Sequence, residues 1–326
     1  MKSRKSYLLL LVSLIIFMNA HPVYAKGDFG DILQKSFEVF PGGLLNLDTD
    51  FGSIEVKGTA GNTVDIRVFH KIRDFVIEFD QQGNDIYVNG KFEGGIIEKI
   101  WYHLFYHVMR TRFVISVPSR YNVDLKTSGG KISVDNLEGD VKSKTSGGSL
   151  HFDKIKGAVS GNTSGGSIEL LECVGMAHVE TSGGSIRVSN ANGDVNAHTS
   201  GGSITIESVK GKVIADTSGG RINVQKLMGS IDAKTSGGSI KAQILKQPST
   251  ECRLTTSGGS VVVSLADGIA VDVDAETSGG RVVTDFSVAV KVEGELKRSA
   301  LQGKINGGGP LVLLRTSGGN IHIEKM

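Results

Sequence analysis

A chain of 326 residues with 44 glycines, five prolines and 6% aromatic residues is long for one compact core and rich in turn residues. The glycines show no Gly-X-Y triplet, which excludes collagen, and with 36 Lys and Arg against 34 Asp and Glu a large basic surface for nucleic acid is not expected. A repeat architecture fits instead, because each repeat packs only on its neighbours and glycine serves the many turns.

The first 25 residues predict a signal peptide. Lys2, Arg4 and Lys5 form a positive start, Leu8 to Met18 form a short apolar run, and Val23-Tyr24-Ala25 places a cleavage site after Ala25. The apolar run falls well short of the ~20 residues of a bilayer span, so no transmembrane span is expected after cleavage. No cysteine follows it to take a lipid; the first cysteine is Cys173. Cleavage leaves 33 basic against 34 acidic residues.

Residues 26–126 read as irregular N-terminal β coils. Leu44-Leu45-Asn46-Leu47, Ile54-Glu55-Val56, Val64-Asp65-Ile66-Arg67-Val68 and Ile86-Tyr87-Val88 alternate apolar and polar between turn signals. One stretch breaks this pattern. Over about 93–112, Ile97, Ile100, Trp101, Leu104, Phe105 and Val108 recur at helical spacing and predict a short amphipathic helical insertion.

From residue 127 to 326 a Thr-Ser-Gly-Gly motif dominates. It begins at Thr127, Thr145, Thr163, Thr181, Thr199, Thr217 and Thr235, eighteen residues apart, then at Thr256, Thr277 and Thr316. The last gap predicts a degenerate coil inside it, and Thr49-Asp50-Phe51-Gly52-Ser53-Ile54 is a weaker early copy. Each repeat splits into two nine-residue halves of alternating pattern, hence two short strands and two turns. Stacked, the repeats align apolar columns: Ile132, Leu150, Ile168; Val134, Phe152, Leu170; Val141, Val159, Ala177; and small residues such as Ala197, Ala215 and Ala233. The fold class predicted is an all-β, single-stranded parallel β-solenoid of about 18-residue, two-strand coils. Gly-Gly is expected to supply positive φ at one corner, and Thr and Ser hydroxyls to cap turns or bond to their copies in adjacent coils.

Val117-Pro118-Ser119-Arg120-Tyr121-Asn122-Val123-Asp124-Leu125, running into Thr-Ser-Gly-Gly-Lys-Ile, resembles the putative-adhesin family of bacterial β-strand-repeat proteins. So does the close, Gly303-Lys304-Ile305-Asn306-Gly307-Gly308-Gly309-Pro310, followed by Thr316-Ser317-Gly318-Gly319-Asn320-Ile321. The resemblance runs from about Phe37 to the end and implies the repeat fold. It carries over no catalytic residue, and the stretch around Trp101 departs from it.

No catalytic, cofactor-binding or metal-binding residue is assigned. Cys173 falls in the core column of Leu137, Ile155, Val209 and Leu227, and Cys252 in that of Val195, Val213 and Ile231, about four coils away, too far for a disulfide. His103 and His107 lack a third ligand and read as solvated or interfacial. His151, His178, His198 and His322 read as outward, in different columns and without a cluster. Corner carboxylates Asp140, Asp194 and Asp272 alternate with Ala158, Met176 and Lys212, against a repeated calcium site. The outward series Lys144, Asn162, Glu180, His198, Asp216, Lys234 mixes signs like a solvated face, and no Thr-x-Thr array suggests ice binding.

The function expected is a non-enzymatic exported scaffold, periplasmic, surface-bound or secreted, offering extended β faces to a protein or glycan partner at the cell envelope. Two alternatives stand beside it. One is a glycan-active β-helix enzyme using outer carboxylates such as Asp135, Asp153 and Glu169. The other is an envelope signalling accessory docking through the helical insertion.

Overall fold

The structure is a computed structural model that describes residues 31–70, 74–95, 111–289 and 298–326. The signal peptide expected over 1–25 lies outside the described residues. So do His103, His107 and 15 of the 20 residues of the helix expected over 93–112, since 96–110 are not described; at its end Arg112 opens a strand instead. Among the described residues there are 28 strands in two 14-stranded sheets and no helix.

In chain order the strands are β1 (Asp31–Glu38), β2 (Leu44–Thr49), β3 (Ser53–Thr59), β4 (Thr63–His70), β5 (Phe75–Gln82), β6 (Asp85–Phe92), β7 (Arg112–Pro118), β8 (Asn122–Thr127) and β9 (Ile132–Glu138). The chain then alternates between the sheets through β20 (Ile231–Thr235) and β21 (Ile240–Ile244). Each step of eighteen residues stacks a strand parallel on its predecessor, so Ile132, Leu150, Ile168 and Ile186 meet in register. The protein is a β-solenoid. The early Thr49 copy belongs to the stack: Thr49 pairs with Thr127 and Ile54 with Ile132.

Inward residues from both sheets make one continuous core, and most are fully buried. In the first sheet the inward positions are Ile132, Val134 and Leu137, so spacing slips by one residue after Val134. A bulge causes the slip. Asn136, Lys154 and Lys226 hold left-handed φ of 56°, 53° and 45°, two consecutive side chains face outward, and the strand bends.

The motif threonine is a third inward position of the second sheet, buried in every copy. Its hydroxyl donates to the carbonyl of the second motif glycine in the neighbouring coil, as from Thr199 to Gly184 (2.8 Å) and Thr217 to Gly202 (2.8 Å). The same oxygen accepts the N–H of the second glycine in its own motif, Gly202 to Thr199 at 3.3 Å. One hydroxyl thus satisfies groups in two coils, each bond contributing about 1 kcal/mol. The serine after Gly-Gly forms another ladder: Ser185 Oγ accepts the N–H of Ser203, and Ser203 Oγ that of Arg221.

The expected role of Gly-Gly needs correction. No glycine of a full motif copy lies in the left-handed region; positive φ occurs instead at the bulge and at second-corner glycines such as Gly175 (138°). What demands the second glycine is proximity. A Cβ on Gly202 would run into the backbone carbonyl of Gly184.

Three buried side-chain atoms among the described residues have no hydrogen-bond partner, His70 Nδ1, Thr111 Oγ1 and Ser143 Oγ, and the last lies within the repeat coils. Ser143 is inward and buried, and its hydroxyl has no hydrogen-bond partner. Ser143→Ala should therefore raise the unfolding free energy by about 1 kcal/mol, by removing that desolvation cost; urea denaturation measures it.

Both ends depart from chain order. At the N-terminal end, β2 and β3 stack directly on β8 and β9, while β6 and β7 lie outside them. Beyond these, β1, β4 and β5 add antiparallel and close the core with Leu33, Phe37, Ile77 and Phe79. Lys35, on the same face of the edge strand as Leu33 and Phe37, discourages further pairing. At the C-terminal end come β22 (Cys252–Thr256), β23 (Val261–Leu265), β24 (Val271–Thr277), β25 (Val282–Thr284), β26 (Ala300–Ile305), β27 (Leu311–Thr316) and β28 (Ile321–Lys325). The final coil, β27 and β28, is wedged between β22–β23 and β24–β25, and β26 caps β24 antiparallel. The degenerate coil expected inside the last gap is absent among the described residues. That stretch supplies β25 and the cap, and the next full coil returns to an inner layer.

Candidate functional site: the outer columns of the two sheets

Outward residues of successive coils line up in columns along the axis, at roughly the 4.8 Å strand spacing. One column of the first sheet runs through His151, Glu169, Arg187 and Thr205, and on to His322, one strand short of its far end. His151 and His322 therefore share a column, where different columns were expected; each lies six residues past its motif threonine, Thr145 and Thr316, and that common offset puts them in register. His178 and His198 face outward from the second sheet, in neighbouring columns.

The structure gathers the three carboxylates proposed for a glycan-active site. Asp135 and Asp153 are register partners, and His151 leans between columns to reach Glu169 through Nδ1 (3.1 Å) and Asp135 through Nε2 (3.8 Å). Asp153 is 3.4 Å from the ammonium of Lys154, which the left-handed bulge turns outward beside it. Each carboxylate thus has a cationic or ionisable partner. An ion pair also links Arg187 to Glu207, and His178 Nε2 lies 3.0 Å from Glu180 Oε1. Half-exposed pairs of this kind add little to stability, but they set up a polar, sign-alternating surface.

Partial burial holds the Asp135 carboxyl above its ordinary value, opposed by His151 and reinforced by Asp153. The folded state then keeps a proton that the unfolded chain releases, so stability is lost as pH rises from the ordinary carboxylate range through the raised value. Asp135→Asn should raise Tm slightly at pH 7, a gain in unfolding free energy well under ~1 kcal/mol for so exposed a group. The gain should shrink towards pH 3, and a gain that persists there would point to packing.

The corner carboxylates are spent on backbone. Asp140 Oδ1 accepts the N–H of Ala158 (2.9 Å), Asp194 Oδ1 that of Lys212 (2.8 Å), and Asp272 Oδ1 that of Gly309 (3.2 Å). Among the described residues no group of three or more His, Cys, Asp and Glu side chains could hold a metal ion. Cys173 and Cys252 are free and buried, Cys173 in register with Ile155 as its column predicts. Burial pushes the Cys173 thiol up to about 11 and raises that of Cys252, which makes both poor nucleophiles. No helix among the described residues is long and apolar enough to cross a membrane.

The motif hydroxyls cap turns as expected; that one buried threonine also bonds the neighbouring coil's glycine carbonyl, and that His151 pivots between columns, were not expected. The unvarying threonine among variable outward residues was the available signal for the first.

A family model described as Toastrack DUF4097 matches residues 44–324. No curated protein matches the chain. Similar solved structures include a putative adhesin from Bacteroides fragilis, 12% identical over 91% of this chain and 97% of that one, with a TM-score of 0.38. A putative adhesin from Parabacteroides distasonis is 10% identical over 91% and 98%, with a TM-score of 0.38. A putative cell adhesion protein from Clostridium sporogenes is 13% identical over 91% and 100%, with a TM-score of 0.24.

Proposed function

The chain belongs to the Toastrack DUF4097 family, and from that premise we propose that it is a non-enzymatic, exported, adhesin-like scaffold whose two outer sheet faces bind a protein or glycan partner at the cell envelope. One observation carries this reading. Residues that repeat from coil to coil point inward or build the turns, as the buried threonines and the tightly stacked second glycines do. Outward columns change residue at almost every coil, as in His151, Glu169, Arg187, Thr205. Repetition thus serves stacking, and variation is left to the surface, which suits a long recognition face better than a repeated reaction centre.

A glycan array and photo-crosslinking to an envelope fraction test the reading, with wild-type protein beside the face variant E169K,R187E. The expected result is saturable binding that the variant loses while keeping its thermal transition. Glycan turnover abolished by changing Asp135, Asp153 or Glu169 alone would replace this reading with the enzymatic one. Fractionation of cells should place the protein outside the cytoplasm.

A further inference from the structure

The layer order at the C-terminal end has a consequence for association. Until the final coil docks, β22–β23 and β24–β25 flank a slot one coil thick, about 9.6 Å from strand to strand, bridged by the link 266–270. The walls present groups waiting for a coil. The Gly259 carbonyl takes the Thr316 hydroxyl (2.6 Å), Ser260 Oγ takes the Asn320 N–H (3.2 Å), and the Thr277 hydroxyl reaches the Gly319 carbonyl (2.7 Å). Val312, Leu314, Ile321 and Ile323 of the entering coil become fully buried.

The tether of that coil is short and bent. Residues 306–310 pass from β26, on one side of β24, to β27 on the other, with φ of 48°, 90° and 88° at Asn306, Gly307 and Gly308. Asn306 Nδ2 donates to the Ile269 carbonyl (2.8 Å) and Gly309 N–H to Asp272 Oδ1 (3.2 Å).

We propose that the slot between β22–β23 and β24–β25 accepts the final coil of a second copy of this chain, so that residues 311–325 are exchanged between copies during folding. Every contact within the slot is the same whether the coil comes from its own chain or another; only the link 306–310 differs. A short hinge held in a tight bend favours exchange, because an open link relieves the bend. Hydrogen bonds on both edges and a buried apolar face then trap whichever coil entered first. Reciprocal exchange closes a dimer, and one-way exchange builds a chain of rods.

The test uses two full-length wild-type chains, one carrying a size tag. They are denatured and refolded together over a range of concentrations, or refolded separately and then mixed. Tag-mixed assemblies should form on co-refolding, increase with concentration, and be absent after late mixing. The link variant G307V,G308V, strained at positive φ, should raise the mixed fraction several-fold. To locate the exchange, C173A,V312C is co-refolded in a glutathione buffer. Val312 is the register partner of buried Cys252, so the new disulfide should run between chains in mixed assemblies and within the chain in monomers. Mixed assemblies absent at every concentration, in both wild type and G307V,G308V, overturn the proposal. Mixed assemblies joined without the interchain disulfide also overturn it, provided that monomers of the same variant form theirs. Where V312C does not fold, tag mixing with and without the link variant decides.

Discussion

Gly202→Ala should destabilise the solenoid by about 3 kcal/mol, the upper range for overpacking, while Gly201→Ala, one residue earlier, should change it by less than about 0.5 kcal/mol. The two glycines share a motif and an N-terminal-to-C-terminal neighbourhood, but differ in what a methyl group would meet. At Gly201 the nearest atoms to an added Cβ lie 3.6 Å away, ordinary contact; at Gly202 they are the carbonyl oxygen and carbon of Gly184. Those atoms cannot retreat. The Gly184 carbonyl accepts the Thr199 hydroxyl, and the adjacent strands are tied by Ile186 N–H to the Ser203 carbonyl (2.9 Å). Stability in a solenoid is close to a sum of neighbour-on-neighbour terms, so the damage should fall on one interface. Urea denaturation should show a lower midpoint, and amide exchange should quicken around 184–204 before the ends of the rod. Equal midpoints for the two variants would show that the coils can part at little cost. Nothing in the space around Gly201 explains why that position is glycine too.

The columns were legible because alternation with a nine-residue half-period fixes which face is inward. That is why the sequence places Cys173 beside Ile155 correctly. The direct role of the threonine was only half legible: a hydroxyl in a repeated motif can cap its own turn or reach the next coil, and here it does both. The Gly-Gly pair was misleading because glycine serves two purposes, freedom in φ and absence of a Cβ, and only the second applies at the motif. Layer order was not legible at all. Leu311–Thr316 has the same inward alternation and the same terminal threonine as any other coil, so it pairs equally well with any open edge. Which edge it meets depends on where β26 turns the chain back. The candidate face follows the same logic: register sets Asp135 beside Asp153, but the reach of His151 to both Asp135 and Glu169 depends on how its ring tilts between strands.

Phe152→Ala should cost about 3–5 kcal/mol, and the loss should be partly reversed by adding a side chain at Gly161. Phe152 is fully buried in a column otherwise filled by Val134, Leu170, Val188 and Ile206. In the same coil the facing sheet has Gly161, where neighbouring coils carry Ser143 and Val179. The large ring and the missing side chain compensate each other: a Cβ on Gly161 would stand 3.0 Å from Phe152 Cε2 and 3.1 Å from Leu150 Cδ1. Gly161→Val should therefore destabilise the wild-type protein by about 1–3 kcal/mol through overpacking. In the Phe152→Ala background the same substitution fills the space that the ring vacated and should restore about 1–2 kcal/mol. The sign reversal is the test, since residues that do not share space give additive changes. A double-mutant cycle from urea midpoints reads it, and an equal loss from Gly161→Val in both backgrounds would mean that the core closes around Phe152 without using the room at Gly161. A reversal would show that this layer holds its summed volume while the volume at each of its two positions departs from that of its neighbours, so the coil still stacks in register.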